Sequence, residues 1–245
     1  LVAALPARPI SAAMNLVTPR RLAAAALCLL AMINLPVLTD RGFVDEAIDR
    51  DQDPPSYWLD AAERIDASAV GSRVMQLPGA EFGSFRWGHT TDQPFVGIGT
   101  TPLVTRDLLP LGSAAAMDLL FALDDRVQEG TLEVDAVAPV ARLLGVNTIL
   151  LTNDMAFERY RTARPEIVDA LLTRGDATGL SNVERLGDPV SNRADVPMID
   201  ATSLLDDRVG QPINPLTLIT VDDPQPVIRA KSGSIVLAGS GDGIL

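Results

Sequence analysis

The sequence is poor in the residues on which most soluble catalytic and metal sites are built. Its 245 residues hold one cysteine, Cys28, and one histidine, His89. A single thiol excludes an internal disulfide and any cysteine-rich zinc site, and a single imidazole excludes multi-histidine metal centres. Aromatic residues are 4% of the chain, so its core must be built from Ala, Val, Leu and Ile. Basic residues are also short: 20 Lys and Arg against 32 Asp and Glu leave a formal charge of −12. Such a chain has little with which to displace counterions from a phosphate backbone, and nucleic acid is not an expected partner. What chemistry there is falls to carboxylates, hydroxyls, arginines or the one histidine.

The hydrophobic content of 47% with 21% charged residues is that of a globular chain, and 18 Gly with 18 Pro imply many loops. The uncharged run from Leu22 to Leu38 is about 17 residues, the short end of what spans a hydrocarbon core. Arg20 and Arg21 precede it, and Asp40, Asp45, Glu46, Asp49, Asp51 and Asp53 follow. This asymmetry favours a retained transmembrane helix over a buried soluble one, with the N-terminal side cytoplasmic and residues after about 40 outside. A cleavable signal peptide fits less well, because no small-x-small site follows Leu38 and Leu27 precedes Cys28. Residues 1–39 are thus expected to be a cytoplasmic segment and transmembrane helix, the tail of a larger membrane domain. Residues 40–245 are expected to be an extracytoplasmic α/β domain, truncated at its C-terminal end.

Periodicity in this second part alternates between helix and strand. "SYWLDAAERIDA" places Trp58, Ala61, Ala62 and Ile65 at helical spacing. A helix beginning near Ser113 carries the stripe Met117, Leu120, Leu123, Val127 and stops at Gly130. "DAVAPVARLLG" and "RPEIVDALLTRG" are two more helices ended by glycine. "VNTILLTND" is apolar on both faces, as a strand inside a parallel sheet should be. "SRVMQLPG", "PLTLITVDD" and "PVIRAKSGSIVLAGSGDG" are read as further strands. The pattern predicts an α/β fold, a mostly parallel sheet with flanking helices.

The candidate sites are few. "AGSGDG" lacks the full spacing of a phosphate-binding glycine loop and is read as a tight turn. Asp49, Asp51, Asp53 and Asp60 mimic a calcium loop, but Pro54 stands where that turn needs Gly. Asp51 and Asp53 also match the Asp-x-Asp of metal-dependent sugar transferases; a solvated acidic link explains them as well. "LPGAEFGSFRWGHTTDQPF" (residues 77–95) is different. It gathers four of the ten aromatic residues and the only histidine without helical or strand period. Glu81, Arg86, Trp87, His89 and Asp92 are its candidates for contacting a sugar or phosphate by stacking and hydrogen bonds. His89 and Asp92 with Ser84 nearby would also suit proton transfer. The alternative is that the rings plug the end of the sheet while His89 caps a turn.

The succession "YWLDAAERI", "RVMQLPGAEFGSFRWGHTTDQPF", "TRDLLPLGSAAAMDLLFALDDRVQEG", "APVARLLGVNTILLTND" and "VDDPQPVIRA" resembles the large α-(1→3)-arabinofuranosyltransferases of actinobacterial cell-wall synthesis. It covers the chain from about Tyr57 onward. The resemblance implies a membrane glycosyltransferase of GT-C type that moves arabinofuranose from a polyprenyl-phosphate donor onto arabinan, with no nucleotide sugar and no cofactor; a divalent metal is left open. It places the catalytic carboxylate outside this segment, which alone is expected to be inactive. A membrane-tethered glycan-binding or scaffold domain without chemistry of its own is the alternative.

Overall fold

In the computed structural model, residues 18–39, 52–69, 71–108, 112–175, 177–196, 198–230, 233 and 239–243 are described. The chain divides into two compact units, residues 1–50 and 51–245.

In the first unit, helix α1 (Pro19–Thr39) forms over the expected apolar run. No helix among the described residues is long and apolar enough to cross a membrane, so the expected span is not seen there. Arg20 and Arg21 lie within the helix's first turn and Ala23–Ala26 follow. Alanine is only weakly apolar, so the strongly hydrophobic stretch is shorter than the helix itself.

The second unit is a sheet with helices on both faces. It begins with α2 (Ser56–Ser68), whose Trp58, Ala61, Ala62 and Ile65 recur every three or four residues and are all buried. Strand β1 (Arg73–Leu77) follows, then a hairpin of β2 (Gly83–Ser84) and β3 (His89–Thr90), a short helix α3 (Pro94–Ile98) and strand β4 (Leu103–Val104). Helix α4 (Ala114–Glu129) starts where Ser113 accepts the Ala116 amide through its hydroxyl, and ends where Gly130 turns left-handed at φ +69°. Helix α5 (Val137–Leu143) leads through Gly145 into β5 (Val146–Thr152). Next come α6 (Phe157–Tyr160), α7 (Pro165–Leu172), β6 (Leu180–Leu186), β7 (Val190–Ser191), α8 (Ala201–Leu205), β8 (Pro212–Ile213) and β9 (Leu216–Val221).

The five-stranded sheet has the order β4-β1-β5-β9-β6. The β1–β4 and β1–β5 pairs are parallel, whereas β5–β9 and β6–β9 are antiparallel. The fold is therefore α/β with a mixed sheet, not a mostly parallel one. The strand that breaks the pattern is β9, which runs antiparallel to both its neighbours, and beyond it β6 is polar and largely exposed at the sheet's edge. The expected strand at "PVIRA" does not form, and Ile228 there is exposed. The segment "SIVLA" lies outside the described residues.

Alternation along the strands fills two cores. Met75, Leu77, Ile149, Leu151, Ile219 and Val221 pack with α4, α5 and α7. Val74, Leu150, Leu216 and Leu218 face the opposite way and pack against Trp58, Ile65, Phe85 and Phe95. Gly79, just past β1, pins the chain to the first core. Its amide donates to Asp124 Oδ1 at 3.0 Å, while Arg106 Nε donates to Asp124 Oδ2 at 2.8 Å and Arg106 Nη2 to the Gly79 carbonyl at 3.1 Å. Burial pushes the Asp124 carboxyl upward against these contacts. A Cβ at Gly79 would lie 2.3 Å from Asp124 Oδ2 and 2.6 Å from Arg106 Cβ. Gly79→Ala is therefore expected to lower stability by about 2 kcal/mol in urea unfolding. An unchanged midpoint would show that the ion pair gives way at no cost.

Candidate functional site: a cavity over a buried aspartate

The loop at 77–95 is a small hairpin, with Gly83 opposite Thr90 and Ser84 opposite His89. Phe85 pairs with Met155, the Ala156 amide donates to the Ser84 carbonyl, and the Arg86 amide donates to the Asp154 carbonyl. The hairpin thus lies against the turn that leaves the C-terminal end of β5. In open α/β sheets, ligands collect beyond the carboxyl ends of parallel strands, near the place where connections diverge. Here β1 has parallel neighbours on both sides, β4 and β5, and the hairpin leaves its C-terminal end.

Asp154 is the centre of this junction, only 4% exposed. Its Oδ2 accepts from Tyr57 OH at 3.0 Å, Trp58 Nε1 at 3.0 Å and Trp87 Nε1 at 2.9 Å. Its other oxygen, Oδ1, is buried without a hydrogen-bond partner among the described residues. Burial pushes the carboxyl up to about 6, despite the three donors that favour its charged form. The same burial, with the carboxylate beside it, holds the Tyr57 phenol well above its ordinary value.

Arg86 braces the hairpin. Its guanidinium forks onto Glu158 at 2.6 and 2.7 Å, and its Nε donates to Asn192 Oδ1 at 2.5 Å. Asn192 in turn donates to the carbonyls of Asn153 and Met155. Burial pushes Glu158 upward, but the Arg86 fork and the Asp195 amide outweigh it and hold the carboxylate below its usual range. Trp87 is stacked on Phe85, with ring centroids 5.3 Å apart and planes 7° from parallel. Trp58 meets Phe85 edge-on at 5.2 Å. The rings do plug the end of the sheet, and they leave a cavity beside them.

That cavity has a volume of 550 Å³ and is lined by Tyr57, Arg86, Trp87 and Asp154 on one side. Asp188, Val190, Ser191, Asn192, Arg193 and Pro215 complete it. Its size falls within the range of small-molecule sites. Of the five residues singled out from the sequence, Arg86 and Trp87 line it. Glu81 and Asp92 are exposed. His89 instead meets Tyr160, its Nε2 lying 2.9 Å from the phenol oxygen, beside Phe82; burial lowers its proton affinity. No side-chain hydrogen bond joins His89, Asp92 and Ser84 among the described residues, so a proton relay is not assembled there. Sequence reasoning missed Asp154, Tyr57 and Asn192. A carboxylate just past a fully apolar strand was the available signal.

Asp49 and Asp51 of the acidic link lie outside the described residues. Among the described residues, no group of three or more His, Cys, Asp or Glu side chains is placed to hold a metal. The glycine turn near the C-terminus packs on α4: the Gly241 amide donates to Asp118, and Arg126 Nε donates to Asp242 at 2.9 Å.

Comparison with known proteins gives this architecture a family. The model of the α-(1→3)-arabinofuranosyltransferase N-terminal GT-C domain matches residues 2–244. The chain belongs to that family. An α-(1→3)-arabinofuranosyltransferase of Mycolicibacterium smegmatis is 30% identical over 137 residues, 56% of this chain and 10% of that protein. One from Mycobacterium tuberculosis is 29% identical over 140 residues, again 56% of this chain and 10% of that protein. The chain thus spans about a tenth of the curated relatives it matches. The cryo-EM structure of the arabinofuranosyltransferase AftD from mycobacteria superposes with a TM-score of 0.61 at 25% identity. That match covers 84% of this chain and 15% of AftD.

Proposed function

We propose that this chain is part of a membrane glycosyltransferase that transfers arabinofuranose from a polyprenyl-phosphate donor to cell-wall arabinan. The family match over residues 2–244 carries the reading. The residues after about 40 would face the extracytoplasmic side, where a polymer acceptor is accessible. Arg86 and Trp87, on the wall of the cavity, would contact the glycan; Glu81, His89 and Asp92 would lie along its approach. The transfer chemistry itself is assigned to the longer protein.

The test uses the complete protein in membranes, supplied with radiolabelled polyprenyl-phosphoryl arabinofuranose and an arabinan oligosaccharide. Extension of the oligosaccharide through a new α-(1→3) linkage is expected. No extension by a correctly inserted protein, or extension from a nucleotide sugar instead, would overturn the reading.

A further inference from the structure

The Asp154 cavity combines features that narrow what it can hold. Asp154, nine-tenths or more buried, lines it, and its Oδ1 is buried with no protein partner among the described residues. An unmet buried acceptor of this kind costs stability, so a ligand that donates to it recovers that cost on binding. Asp188 adds a second carboxylate to the lining. Arg86 is already paired with Glu158 and Arg193 stands at the rim, so a phosphate or other anion reaching Asp154 and Asp188 would meet repulsion at the point of closest contact. A metal ion finds no third acidic or histidine ligand there among the described residues. What remains is a neutral molecule rich in hydroxyl donors. Trp87 and Tyr57, each tied to Asp154 Oδ2, supply rigid aromatic edges and faces against which sugar C–H groups pack.

We propose that this cavity is a binding subsite for a neutral oligosaccharide, with one sugar hydroxyl donating to Asp154 Oδ1 and a ring lying against Trp87. Taking that oligosaccharide to be an arabinofuranosyl stretch of the acceptor rests on the transferase reading above. The subsite then holds the acceptor polymer rather than the charged lipid donor. Arg193, at the rim and without a side-chain partner among the described residues, is placed to meet further hydroxyls as the glycan leaves the cavity.

The chain provides its own probe, since its two tryptophans, Trp58 and Trp87, both donate to Asp154. The experiment titrates the 245-residue chain with linear arabinofuranosyl oligosaccharides and with neutral hexose oligosaccharides. Tryptophan emission and calorimetry are read together at pH 8. A saturable emission change with the arabinofuranosyl series is expected. Asp154→Asn should weaken it at least tenfold, as loss of a hydrogen bond to a charged group does. Val190→Trp, which fills the cavity from the exposed strand β7 and leaves the Asp154 hydrogen bonds intact, should abolish it in a folded protein. Absence of glycan binding, or binding untouched by both variants, would overturn the subsite even if the complete enzyme transfers arabinose. Binding of hexose oligosaccharides alone, still lost in both variants, would uphold the subsite and count against the transferase reading instead.

Discussion

Asp154→Asn is expected to make the protein more stable at pH 8, by ~3 kcal/mol, and to leave it no more stable at pH 4. Burial raises the folded carboxyl from 3.8 to about 6. Below 3.8 the proton is bound in both folded and unfolded chains, and Asp154 carries no charge penalty. Between 3.8 and 6 only the folded chain holds the proton, so stability falls as pH rises. Above 6 the full penalty stands. The asparagine oxygen accepts from the same three donors as Oδ2, and its NH₂ group takes the place of the unmet Oδ1 without the charge, its own N–H donors unmet there as Oδ1 was. Glu158 titrates with the opposite sign: its stabilisation is present at neutral pH and is lost as pH falls through its lowered folded value. The difference between variant and wild type, measured by urea unfolding from pH 4 to 8, therefore isolates Asp154. A variant less stable than wild type at pH 8 would mean that the charged carboxylate is well solvated after all. A stabilising substitution in the lining of a cavity is the signature of a position kept for binding at the expense of stability.

How much of this was legible in the sequence depended on distance along the chain. Helix α4 announced itself through Ser113, its apolar stripe and Gly130, all local signals. The central strand β5 was legible from unbroken hydrophobicity, because it is covered on both faces. The edge strand beyond β9 was not. Strand β6, "LSNVERL", has mostly exposed side chains and looks like a loop until β9 pairs with it. The hairpin at 83–90 is two residues per strand, too short for a period to show. His89 drew notice by being unique, yet its ring contacts Tyr160 and Phe82 and does not line the cavity. Arg86 and Trp87 were candidates and line the cavity, but Trp87 is held there by Asp154, 67 residues away. Tyr57 and Trp58 reach the same oxygen across 97 and 96 residues. No pattern within a short window encodes such a convergence.

Trp58 is where fold and site are most tightly joined, and Trp58→Ala is expected to carry the largest destabilisation. The side chain is fully buried between α2 and the sheet, edge-on to Phe85 at 5.2 Å and to Trp87 at 6.4 Å. Truncating a core tryptophan costs about 3–5 kcal/mol in lost transfer energy and residual cavity. Its indole N–H is also one of three donors to a buried carboxylate, and losing a hydrogen bond to a charged group adds roughly 1.5–3 kcal/mol. The sum is comparable to the whole stability of many domains, about 5–15 kcal/mol. The alanine variant should therefore be largely unfolded at 37 °C by circular dichroism. Trp58→Phe separates the two contributions: it keeps most of the ring packing and removes only the donor. That variant should fold with a loss of about 2 kcal/mol. It should also push the Asp154 carboxyl further upward, so that its stability falls more steeply between pH 4 and 8 than the wild type's. A Trp58→Ala protein that keeps its wild-type urea midpoint would mean that α2 does not hold the cavity wall in place. The convergence on Asp154 would then be incidental to the fold.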